Sequence, residues 1–238
     1  MVKHKGFSLI ELMIATTILT VVMFSGYLAY GLYTTKWQKR VDEFWYKGSS
    51  ALGIERVTRS LNAMENYIVN WQGNSKKPVM LFEGSDSELI YVSNSPLLSS
   101  DAAIIKLSLV KNKRGLNDLI YSEVPLSNQL ITTWPQQITW PKPILVMRDL
   151  KEFRFNFYGW LSLQQEFEAN EDVLQRDLSV PLPTPSWYET HISEQRQLTP
   201  LVLQIQFQLD TNEELSSYLI SMPTDNYLKL TAYMRLDF

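Results

Sequence analysis

From Gly6 to Thr35 the chain carries a single acidic or basic side chain, Glu11. A helix over that run is about 43 Å long, more than the ~30 Å hydrocarbon core of a bilayer. Leu9, Ile10, Leu12, Ile14, Ile18, Leu19, Val21, Val22 and Phe24 cover all its faces, whereas a soluble helix keeps a polar stripe. A cleaved secretory signal has an apolar core of about 7–15 residues followed by small residues. Here the core is longer and ends in Tyr27-Leu28-Ala29-Tyr30. The segment therefore reads as a membrane anchor that stays attached. Lys3 and Lys5 precede it, and Lys36, Lys39 and Arg40 follow it. The charge count alone leaves its orientation open. A carboxylate near the start of such a span costs roughly 2.5–3.5 kcal/mol on insertion scales, which calls for a partner charge within the membrane.

The short basic leader and Gly6-Phe7-Ser8-Leu9-Ile10-Glu11 resemble the type III signal of type IV pilins and type II secretion pseudopilins. The resemblance implies that a prepilin peptidase on the cytoplasmic side cuts between Gly6 and Phe7 and that Phe7 becomes N-methylated. Glycine, lacking Cβ, is the least obstructed residue a protease can accommodate. The cut frees a cationic amine on Phe7, which gives Glu11 its partner. The pair forms either with the Phe7 amine of a neighbouring subunit or within one chain, where the two residues lie four apart on one helical face. The intersubunit pair is the reading adopted. Proline is absent from Phe7 to Asn70, so Gly26, Gly31, Gly48 and Gly53 are the expected soft points of the helix. Lack of a proline in the membrane segment favours a minor subunit or pseudopilin over a major pilin.

Past Lys36 the helix is expected to continue to residue 70. Ile54, Val57, Leu61, Met64 and Ile68 recur at spacings of three and four, a stripe suited to packing on a sheet. Trp37, Phe44 and Trp45 lie where aromatics gather at a membrane surface. Beyond Trp71 the period becomes two. Residues 201–209 and Phe153, Phe155 and Phe157 alternate apolar with polar. Shorter predicted strands are Val79–Phe82, Glu88–Val92, Ile104–Val110, Asp118–Glu123, Tyr218–Met222 and Leu228–Leu236. The fold class is α+β and pilin-like: a long N-terminal helix, membrane-spanning in its first half, packed on an antiparallel β-rich domain. The organisation is a leader at 1–6, a transmembrane helix at 7–35, its amphipathic continuation at 36–70 and a periplasmic β-rich domain at 71–238. The stretch Gly159–Pro200 is too long for an ordinary loop. It reads as a short helix plus linker or as a partner-binding excursion.

Composition narrows the function. The 238-residue chain is 45% hydrophobic, enough for a packed core, and its net charge of −3 lacks the basic face that nucleic acid requires. Cysteine is absent, which excludes disulfides, thiolate metal sites and cysteine nucleophiles. His4 leaves with the leader, so His191, placed in a polar loop, is the sole imidazole of the mature chain. Neither a nucleophile elbow nor a zinc ligand set accompanies it. Glu83, Asp86 and Glu88, and the acidic residues from Glu166 to Asp172, lack the spacing of a calcium loop and read as solvated charges. Two Thr-Trp-Pro tripeptides, with Trp134 and Trp140, read as core anchors, the alternative being an exposed sugar-stacking ridge.

Residues 144–158, the nearby Trp160 and the later strand from Pro200 to Phe207 are similar to the J-type minor pseudopilin of type II secretion. That resemblance implies a non-enzymatic structural subunit near the tip of a periplasmic pseudopilus, supporting protein export. No cofactor, metal or catalytic residue is expected. The partners are the prepilin peptidase, other minor and major pseudopilins or pilins, and the inner membrane, with no nucleic acid. The location is the bacterial inner membrane, single-pass, with the C-terminal domain in the periplasm. A minor pilin of a type IV or mannose-sensitive pilus is the alternative. From another class, a membrane-anchored periplasmic binding module or hydrolase is the rival.

Overall fold

A computed structural model describes residues 8–73, 77–170, 181–210 and 214–236. The chain divides into two units, Met1–Gly48 and Ser49–Phe238. One helix, α1 (Leu9–Asn62), contributes to both.

In the first unit every large apolar side chain of α1 from Leu9 to Leu32 is exposed. This is the single helix among the described residues that is long and apolar enough to cross a membrane. Its serine and threonine hydroxyls turn inward on their own backbone. Thr16 donates to the Met13 carbonyl, Thr17 to Ile14, Thr20 to Thr16, Ser25 to Val21, and Thr34 and Thr35 to Gly31, at 2.8–3.0 Å. Lipid supplies no other partner, so this arrangement suits a hydrocarbon environment. Further along, Tyr33 and Trp37 stack at 6.3 Å, and Phe44 meets Trp45 edge-on at 6.0 Å. The helix runs through Gly26, Gly31 and Gly48 without interruption.

In the second unit Ile54, Val57 and Leu61 of α1 are buried in one cluster with the inner face of a large sheet. The stripe expected from the sequence is the packed face, but the helix stops at Asn62 instead of residue 70. Its last turn is closed by another strand: Ser93 Oγ donates to the Ser60 carbonyl at 2.7 Å, and the Asn94 amide donates to the Ala63 carbonyl at 3.0 Å. Ile68, predicted as the end of the helical stripe, belongs to β1 (Ile68–Trp71). Tyr67, Ile68 and Val69 prefer extended backbone, and strand neighbours on both sides override the three-four spacing.

The remaining elements are β2 (Pro78–Met80), β3 (Phe82–Gly84), β4 (Glu88–Ser93), β5 (Ala103–Lys111), β6 (Asn117–Pro125), β7 (Thr133–Trp134), β8 (Ile144–Gly159), α2 (Leu163–Asn170), β9 (Ser186–Tyr188), α3 (Ser193–Arg196), β10 (Val202–Leu209), β11 (Ser216–Ser221) and α4 (Asn226–Leu236). The large sheet runs β11-β10-β8-β6-β5-β4-β3, with β9 also on β8, and all its pairs are antiparallel. β1 lies between β2, antiparallel, and β7, parallel, in a smaller sheet.

The period-two reading of β8 and β10 holds: Phe153, Phe155, Phe157, Leu203, Ile205 and Phe207 all face the core. β8 is shared between neighbours. Its first half pairs with β6, while its second half pairs with β10 on one edge and β9 on the other. Between these halves Asp149 takes φ +56°, held by the Asp149 amide donating to Asp118 Oδ1 at 2.9 Å and by Arg114 at 3.2 Å.

Two further expectations need correction. Val79–Phe82 is two strands broken at Leu81. Leu228–Leu236, predicted as a strand, is helix α4, in which Tyr227, Leu230 and Met234 recur at three and four and pack with Met80, Leu198 and Leu163. Leu, Lys, Ala, Met and Arg are strong helix formers, and an Asp225–Lys229 ion pair at 3.0 Å spans the first turn. Within 159–200, α2, β9 and α3 occupy the described parts. The acidic residues Glu171 and Asp172 lie outside the described residues.

Candidate functional site

Gly6 and Phe7, the predicted cleavage and methylation positions, lie outside the described residues. Glu11 is in the first turn of α1. The Ser8 amide donates to Glu11 Oε2 at 2.9 Å, and the Glu11 amide donates to Ser8 Oγ at 3.3 Å. This reciprocal pair is a capping box, which satisfies two amides that a helix start otherwise leaves unbonded. A carboxylate there also faces the positive end of the helix dipole. Sequence reasoning assigned Glu11 to the Phe7 amine and overlooked Ser8, although the Ser-x-x-Glu spacing is itself the signature. The carboxylate has two oxygens: Oε2 serves the cap, and Oε1 is geometrically able to accept from a second donor.

The structure sends the other candidates to packing roles. His191, expected in a polar loop, is 1% exposed. Its ring lies 5.0 Å from that of Phe82 and 6.0 Å from that of Phe157, and its Nδ1 is 3.1 Å from the Tyr188 hydroxyl. Its backbone pairs with Gly84 in both directions. Ser193, two residues away, donates its hydroxyl to the Phe82 carbonyl at 2.8 Å. That hydroxyl fastens α3 to β3.

Glu83 accepts from Trp134 Nε1 at 3.2 Å and from the Ser193 amide at 3.1 Å. Burial raises its pKa, and the hydrogen bonds from Ser193 and Trp134 pull it back. Glu88 pairs with Lys106 at 2.9 Å, so Glu83 and Glu88 are engaged separately. Among the described residues no group of three or more His, Asp or Glu side chains is placed to hold a metal ion. Trp134 is 7% exposed in a second core with Val69, Val79 and Ile131, and Trp140 packs against it. The core reading holds for Trp134; Trp140 lies outside any strand and is only partly buried, covering that core from outside.

Two buried titratable groups give the domain a testable pH signature. Burial, with the Arg196 cation adding to it, pushes His191 down to about 3. Burial pushes Glu166 up to about 7. For His191 the unfolded chain takes up the proton first, so its contribution is complete above about pH 6.5 and is lost as pH falls toward 3. For Glu166 the folded chain holds the proton longer, so stability is lost as pH rises from about 4.5 to 7. Between about pH 5 and 6.5 the two slopes oppose each other. His191→Gln should leave a protein that loses stability as pH rises across that window, by at most about 2 kcal/mol before solvent screening is discounted. Glu166→Gln should lose about the same as pH falls across it. Urea midpoints of the full chain at the two pH values check this; parallel slopes in both variants would refute it.

Residues 1–27 match the family model described as the prokaryotic N-terminal methylation motif. No curated protein matches the chain. The motif implies processing by a prepilin peptidase and assembly with other pilins, and with the apolar α1 it is consistent with a single-pass membrane anchor. Leader, glycine, capped helix start and apolar span together make this a prepilin-type N-terminus, the part of the chain that the methylation-motif model describes.

Proposed function

We propose that the chain is a minor pseudopilin of a type II secretion system, of the J-type, incorporated at or near the tip of a periplasmic pseudopilus. The observation that carries the reading is the prepilin-type motif on an apolar helix joined to a β-rich domain. In this reading residues 1–6 are a leader removed on the cytoplasmic side, and Phe7 becomes the methylated N-terminus. Residues 7–35 span the inner membrane, and the β-rich domain stands in the periplasm. The Glu11 carboxylate accepts from the Phe7 amine of the neighbouring subunit and sets the register between helices. The role is structural, not enzymatic: binding energy between subunits does the work. The hydrophobic-then-aromatic β8 and the later β10 support the J-type assignment over a pilus subunit.

Intact-mass spectrometry of the chain from cells with a prepilin peptidase tests the processing step. The expected mature chain begins at Phe7 with one added methyl group, and Gly6→Val stays at the precursor mass. A wild-type chain beginning at Met1 refutes it. Crosslinked co-purification tests the machine: recovery of pseudopilins supports the assignment, and recovery of pilus subunits in their place overturns it.

A further inference from the structure

The outer face of the sheet formed by β9, β8, β10 and β11 carries an aromatic pair beside a row of neutral amides. Alternation puts the phenylalanines of β8 on the core side, and Arg154, Asn156 and Tyr158 on the opposite side. On β10 the same alternation sends Val202, Gln204, Gln206 and Gln208 outward. Register then builds rows across the strands. Trp187 lies opposite Tyr158, and Gln204 lies opposite Asn156 on one side and Leu219 on the other. The Tyr158 and Trp187 rings are tilted together with centroids 5.2 Å apart.

Beside this aromatic pair runs a chain of neutral amides. Asn156 Nδ2 donates to Gln204 Oε1 at 3.2 Å and to Gln206 Oε1 at 3.3 Å, and Gln204 Nε2 donates to Ser217 Oγ at 3.0 Å. A cleft of about 430 Å³ opens here, lined by Asn156, Trp187, Tyr188, Glu189 and Gln204. Tyr188, the next residue on β9, turns to the core side: its ring stacks on Phe157 at 5.9 Å and its hydroxyl meets His191 at 3.1 Å, which anchors β9 beneath the cleft.

We propose that this cleft binds a neutral glycan, with one pyranose ring stacked on Trp187 and its hydroxyls bonded by Asn156, Gln204 and Glu189. Trp187 leaves 51% of its surface in water, so part of the indole is open to a stacked ring. Amide side chains carry donors and acceptors together, as sugar hydroxyls do, and Glu189 adds an acceptor. Few convergent polar groups beside an aromatic wall are what fixes a small ligand's orientation. No lysine or arginine lines the cleft, which disfavours the phosphate of a nucleotide or a sulfated sugar. The proposal is independent of the assembly reading, since binding is measured on isolated chain and requires no filament.

The test uses the full chain in lipid nanodiscs, so that no sugar-headed detergent competes. Tetramers of β-1,4-linked N-acetylglucosamine and of β-1,4-linked glucose are titrated and followed by ligand-observed NMR, with a heparin tetrasaccharide as the anionic probe. Saturable binding of either neutral tetramer is expected, the better one distinguishing an acetamido sugar from a plain hexose. Trp187→Ala should weaken it by at least about tenfold and Gln204→Ala by about threefold. Trp187→Phe should retain most of it, and circular dichroism confirms that each variant is folded. Absence of saturable binding by both neutral tetramers overturns the proposal. So does tighter binding of the heparin probe, or wild-type affinity in folded Trp187→Ala.

Discussion

Glu11→Gln is expected to remove the chain from filaments as fully as Glu11→Ala does, even though glutamine preserves the helix cap. A glutamine at the third helical position accepts the Ser8 amide as glutamate does, so the bond seen at 2.9 Å survives. What glutamine lacks is the charge. In the proposed filament a cationic Phe7 amine would then lie in the membrane without a counterion, and breaking such a pair costs about 3–5 kcal/mol. At about 1.4 kcal/mol per tenfold, incorporation falls by roughly a hundredfold or more. Ser8→Ala tests the other half of the arrangement: it removes the reciprocal bond, costs about 1 kcal/mol of helix stability, and should leave incorporation near normal. The readout is the fraction of chain in pelleted filaments relative to membrane. Glu11→Gln at wild-type levels would mean that the carboxylate serves only as a cap.

Gly53→Leu is expected to unfold the β-rich unit, at a cost of at least about 3 kcal/mol. A Cβ at Gly53 would sit 2.3 Å from the Val146 carbonyl oxygen and 2.9 Å from Met147 Cγ. The first obstacle is backbone of β8, which cannot rotate away as a side chain tip can, so α1 must lift from the sheet. Ordinary overpacking costs about 1–3 kcal/mol, and here the buried contacts of Ile54 and Val57 are forfeited as well. Gly48→Ala is the control. Nothing lies within 4 Å of its Cβ, so it should be neutral or stabilise the helix by up to about 1 kcal/mol. Urea midpoints of the full chain would decide; equal midpoints for wild type and Gly53→Leu would show that the helix is not seated on β8 as described.

These two residues also mark how far the sequence could be read. Glu11 was found because a lone charge in an apolar run is expensive wherever the run ends up. Gly53 was grouped with Gly26, Gly31 and Gly48 as a soft point, since four glycines in one helix look alike until the strand facing one of them is known. Period two located β8 and β10 because one face of each is core and the other wet. The same logic failed for Leu228–Leu236, where Tyr227, Leu230 and Met234 carry the three-four spacing of α4 within a run of mixed polarity. His191 and Glu83 were read as solvated because their neighbours in sequence are polar. Their burial comes from Phe82, Phe157 and Trp134, all distant along the chain. For the aromatic cleft, Trp187 was legible only as one tryptophan among seven; pairing with Tyr158 across β8 gives it a neighbourhood.

β8 and β10 are adjacent and antiparallel, so residues 160–201 amount to an insertion at the end of a hairpin. Lengthening such a connection changes its closure entropy only logarithmically, about 0.6 kcal/mol per doubling. The pairing of β8 with β10 runs between residues outside it. Trp187, Tyr188 and Glu189 all lie inside this insertion, whereas Asn156 and Gln204 lie on the fixed strands. Variation can therefore rewrite one wall of the cleft while selection for a working sheet holds the other still, leaving recognition and architecture to evolve at separate rates in one domain.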